Sequence, residues 1–225
     1  MTHLFFLSPE QFSIFKTQYY YSDYLMKKLI LFTLLCFGIC IFAQSGNSMA
    51  SILQKIKSQS KIDPQDKVVY DLMDEFYQKN LQADNDEVTP ELTHRIQKAV
   101  SDPNTKNIHL LYLLLMYQQH ISQTVAEGKN ANPEFQIETM NLLESETKEV
   151  YGKLPAIIYI FKAEALDSGS QKEKAKITVA NGLKEYPDSI PLKVYSYLNT
   201  KDETLRQDLI QNHPNHWMVQ QFGIK

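Results

Sequence analysis

AIIYIFKAEALDSGSQKEKAKITVANGLKEYP, residues 156–187, reads as two helices joined by a tight turn. Its small residues, Ala163 on the first helix and Ala175 and Gly182 on the second, stand where two helix axes must approach closely. The stretches on either side look like looser versions of the same unit. This is a packing signature and names no reaction.

Working outward, the chain is built from capped amphipathic segments. Met49, Ile52, Leu53 and Ile56 recur at helical spacing. Asp63-Pro64 is expected to open the next helix as cap and first residue. Val69, Leu72, Met73 and Phe76 continue that helix as one stripe, which stops near Asn80. Thr89-Pro90 and Asn132-Pro133 repeat the cap-plus-proline start.

Residues 108–126, IHLLYLLLMYQQHISQTVA, are apolar on several sides and predict a central, covered helix. In the helix after Asn132, Phe135, Met140, Leu143, Thr147 and Val150 face inward, with Glu144, Glu146, Lys148 and Glu149 as the wet face. Asp188-Ser189 cap a short helix bearing Leu192, Tyr195 and Leu198. Thr204 to Ile210 form another, and Trp217 to Phe222 close the end. No strand run bounded by hairpin turns occurs, so the fold class is all-α: antiparallel helical hairpins, stacked.

From Tyr159, the spacing to Ala163, Leu166, Ala175, Val179, Gly182 and Pro187 resembles the 34-residue tetratricopeptide repeat without a gap. Lys162 stands where that pattern wants Leu, and Val179 where it wants an aromatic residue. One repeat matches; its neighbours are divergent. The resemblance implies a short superhelix of stacked hairpins and a protein- or peptide-binding role. It also implies that the first helix of each hairpin lines a concave face. Ile157, Ile160 and Glu164, on one helical stripe, are the partner-binding candidates by that register. Two isoleucines and a carboxylate suit an apolar segment carrying a positive charge. None of the three is the Lys, Arg or Asn that clamps a free C-terminal carboxylate.

Composition narrows the chemistry. The 225 residues carry 23 basic and 26 acidic side chains, net −3, which argues against a nucleic-acid partner. Residues 26–43 read as a signal peptide: Met26-Lys27-Lys28, an apolar run from Leu29, and Ala43 before the cut. That predicts an exported protein, periplasmic or secreted, with no membrane span after cleavage; a retained anchor is the alternative. Residues 1–25 are aromatic-rich and read either as an extended n-region or as sequence upstream of a true start at Met26. The domain proper is residues 44–225.

Cys36 and Cys40 both lie in the apolar run, so the cleaved protein has no thiol for a disulfide, a zinc site or a nucleophile. Ile39 before Cys40 departs from a lipobox. The acidic loop at Asp84–Glu87 lacks the glycine and distal glutamate of an EF-hand, and His213 and His216 are too few for structural zinc. Seven glycines and no Gly-rich phosphate loop, HExxH or Gly-x-Ser-x-Gly motif leave no catalytic candidate, so no cofactor or metal is expected. The expected function is a non-enzymatic adaptor. An exported enzyme or small-ligand binder with a cleft between hairpins is the alternative.

Overall fold

The hairpin that opens the sequence argument is the tightest contact of the structure, a computed structural model describing residues 48–84 and 88–225. Ten α-helices are described: α1 Met49–Ser58, α2 Val68–Phe76, α3 Pro90–Ser101, α4 Ile108–Ala126, α5 Pro133–Tyr151, α6 Ala156–Ser168, α7 Lys172–Glu185, α8 Ile190–Thr200, α9 Glu203–Asn212 and α10 Trp217–Gln221. Among the described residues there is no strand. From α4 to α9 each helix packs on the next, giving antiparallel hairpins in a stack. α2 crosses behind them against α4 and α6, and α1 lies on α4 and α5.

The helix starts follow their caps. Ser48 accepts from Ser51 N, Thr89 from Leu92 N, and Asn132 from Glu134 N and Phe135 N. Ser189 accepts from Leu192 N, and Asp202 from Thr204 N and Leu205 N. The expected start at Asp63-Pro64 is corrected: α2 begins at Val68. Asp63 Oδ1 takes the Gln65 amide at 2.9 Å and Asp66 Oδ1 the Val68 amide at 3.0 Å, so both side chains close local turns.

Asn107 holds this loop in place. It is fully buried in the left-handed region, at φ 58°. Its Oδ1 accepts from Asp63 N at 2.9 Å, and its Nδ2 donates to Asp63 O at 2.7 Å and to Tyr151 OH at 3.0 Å. A short parallel bridge pairs Lys61 with Lys106 beside it. α2 ends in one π turn, Tyr77–Leu81.

Two apolar clusters hold the stack. The larger runs from Met49 through α4, α5 and α6 to Leu192, with Tyr117 stacked on Phe161 at its centre. α4 is wrapped as expected, burying Leu110, Leu111 and every residue from Leu113 to Gln118. The smaller cluster, around Val194, Leu209, Met218 and Val219, sits at the C-terminal end. Between α6 and α7, Ala163 and Ala175 are each 3% exposed. A Cβ on Gly182 would come within 2.9 Å of Tyr159 Cβ, so only glycine fits there at this helix spacing. Leu166 and Val179 are buried in the same hairpin, and Pro187 lies exposed just past it.

Residues 26–43, expected to be a signal peptide, both cysteines and the alternative starts lie outside the described residues, as do Asn85, Asp86 and Glu87 of the acidic loop. No helix among the described residues is long and apolar enough to cross a membrane.

Candidate functional site

α6 is apolar around most of its circumference, so its neighbours decide which side stays open. α2 and its terminal π turn pack against it, and Tyr117 of α4 stacks on its Phe161. Ile157 is 0% and Ile160 1% exposed, both inside the main core. Glu164 shares their stripe, and its carboxylate accepts from Tyr195 OH on α8. Burial pushes that carboxyl up to about 7, against the pull of the Tyr195 hydrogen bond.

The assignment of Ile157, Ile160 and Glu164 to a partner-binding face is therefore corrected. At about 100° per residue, the stripe of Tyr159, Lys162 and Leu166 lies roughly opposite on the helix. That opposite side is the one left open.

There, α5, α6 and α7 enclose a cleft of about 420 Å³. Its floor is apolar: Leu154, Ile158 and Leu166. One wall is Ile137, Asn141 and Glu144 of α5, and the other is Gln171, just before α7, with Lys174, Thr178 and Asn181 of α7. Each wall is a stripe spaced three and four residues apart, which puts its members on one helical face. Ile177 stands on the α7 rim and is 61% exposed.

Glu144 is not a free wet residue of α5. It pairs with Lys148 at 2.8 Å and with Lys162 across the cleft. Burial pushes its carboxyl up, but the two ammonium groups outweigh this and hold it below its ordinary value. Glu146 also departs from the expected wet face. It is 8% exposed, and its Oε2 lies 2.6 Å from Lys57 Nζ on α1 and 3.6 Å from the fully buried His109 ring. Burial lowers the His109 pKa, and Lys57, whose own pKa is raised by its hydrogen bond to Glu146, supplies the counter-charge to that carboxylate.

The histidine pair near the C-terminus is parted by the backbone. His216 is fully buried; its Nδ1 accepts from Met218 N at 3.2 Å as the cap of α10, and its Nε2 donates to Leu81 O at 3.0 Å. Both ring nitrogens are thus committed to structure, and burial lowers the pKa of the ring. No group of three or more His, Cys, Asp or Glu side chains able to hold a metal occurs among the described residues.

Sequence reasoning flagged Lys162 only as a departure from a repeat pattern, and it missed Asn141, Lys174, Ile177 and Asn181. The available signal was the polar stripe Gln171, Lys174, Thr178, Asn181 with an isoleucine beside it. No protein-family model, curated protein or solved structure matches this chain.

Proposed function

We propose that this is an exported, non-enzymatic helical-repeat protein of tetratricopeptide-like character that binds a protein or peptide partner in the cleft along α6. The observation that carries the reading is the composition of that cleft. Its floor is apolar, its rim carries the exposed Ile177, and Asn141 and Asn181 are exposed amides with no bonding partner among the described residues. Side-chain amides both donate and accept, so they match the alternating N–H and C=O groups of an extended backbone. A catalytic site would need titratable groups held for proton transfer. Here the one carboxylate, Glu144, is tied up between two lysines.

The alternative, a small-ligand site, draws on the same cleft, which lies between the long α4–α5 hairpin and the α6–α7 hairpin. A photoreactive residue placed at Ile177 in the protein expressed in its native host separates the two. A discrete protein adduct that disappears with Asn181→Arg is expected. Absence of any protein adduct, with a small molecule co-purifying, would overturn the adaptor reading.

A further inference from the structure

The cleft along α6 also carries a charge, and this narrows what it takes. The inference rests on the peptide-binding reading above. The one carboxylate of the lining, Glu144, is bonded by Lys162, and that pair is neutral. Lys174 gives the lining one net positive charge. Its Nζ donates to the Gln171 amide oxygen at 2.8 Å, and it has no carboxylate partner among the described residues. The cleft is thus positive on a chain whose formal net charge is −3. Beside Lys174 on the same helix stands Ile177, the most exposed of the large apolar side chains described.

From Ile158 to Leu166 the floor of the cleft runs about 12 Å at 1.5 Å per residue. Extended chain rises about 3.3 Å per residue, so about four residues fit. Successive side chains of such a segment point to opposite sides, which turns one kind to the apolar floor and the other to the α7 wall, where Lys174 stands.

We propose that the cleft binds an internal, extended segment of a partner protein in which acidic and apolar side chains alternate. An acidic side chain meets Lys174, an apolar one packs on the floor, and Asn141 and Asn181 bond the backbone. A free C-terminus is not required, because the acidic side chains supply the negative charge.

The test uses three labelled peptides, acetylated and amidated, titrated into the purified protein by fluorescence anisotropy. The first is Ser-Val-Glu-Leu-Glu-Val-Ser; the others carry Gln or Lys in place of Glu. The Glu peptide is expected to bind about tenfold or more tighter than the Lys peptide, to weaken as salt is raised, and to shift the amide resonances of Thr178 and Asn181. Lys174→Glu, whose fold rests on nothing that Lys174 touches beyond Gln171, should reverse the preference toward the Lys peptide. Equal binding of all three, or an unchanged preference in Lys174→Glu, overturns the charge inference and leaves the peptide cleft standing. Binding by a fourth peptide, the Glu sequence with a free C-terminus, where the amidated one fails, also overturns it. No binding by any peptide overturns both.

Discussion

At the scale of single residues, Asn107 and Glu164 have consequences that can be measured. Asn107 sits in the left-handed region, which Asn tolerates better than most non-glycine residues, and its amide reaches across the fold to satisfy both backbone groups of Asp63 in a buried site. Asn107→Ala removes those bonds and places a less tolerant residue at φ 58°. The expected loss is about 2–4 kcal/mol in urea unfolding. A loss under about 0.5 kcal/mol would show that the 61–67 loop closes without it.

Glu164 links stability to pH. Its carboxyl is raised from 4.5 to about 7 in the folded protein, so the native state holds a proton that the unfolded chain releases. Stability from this group falls as pH rises between those values; the penalty is absent below the lower and complete above the upper. Glu164→Gln keeps an oxygen for Tyr195 and removes the charge. Relative to wild type, the variant should gain about 1–3 kcal/mol between pH 5 and pH 8. A constant difference across that range would mean that Glu164 is charged at no cost.

At the scale of elements, the α6–α7 hairpin is a contact between small residues. Ala163→Leu or Ala175→Leu should overpack it and cost about 1–3 kcal/mol each by thermal or urea denaturation. Gly182→Ala should cost a similar amount, because Tyr159 Cβ is fixed to its backbone and cannot move aside like a side-chain tip. Neutral behaviour of all three would mean that the helices are farther apart. On the covered side of the same helix, Ile160→Asp buries an unpaired carboxylate in the main core. It should unfold the protein rather than merely release a partner.

This hairpin was legible because small residues at fixed spacing mark close approach whatever lies around them. The open face of α6 was not legible. Ile157, Ile158, Ile160, Phe161, Ala163, Ala165 and Leu166 wrap most of the helix, so apolar periodicity has no clear direction there.

At the scale of the whole molecule, two clusters of unequal size share one chain. The C-terminal cluster is joined to the main stack by α7–α8 packing and by His216 bonding Leu81 across 135 residues of chain. Gln82 adds a second tie, accepting from Ile190 N at 3.0 Å and donating to Asp188 O at 3.1 Å. Amide hydrogen exchange should therefore be slowest in α4 and α6 and faster in α9 and α10, because the smaller cluster opens at lower free energy. His216→Ala should accelerate exchange in α10 first. Uniform protection across both clusters would show a single cooperative unit.

By itself, the sequence determined where most of the helices begin, that they pair as antiparallel hairpins, and that α6 and α7 touch through Ala163, Ala175 and Gly182. Caps, prolines and small residues act within a turn or two of helix, so their message is local and survives any tertiary arrangement. Only the tertiary structure decided that Ile157 and Ile160 face the core, that Glu146 is buried beside Lys57, and that Asp63-Pro64 is a turn held by Asn107. It also decided that Lys162, Lys174, Asn141 and Asn181 meet at one cleft. Each of these depends on which distant helix arrives at a given face. Helical spacing says which residues share a side and is silent on what covers it.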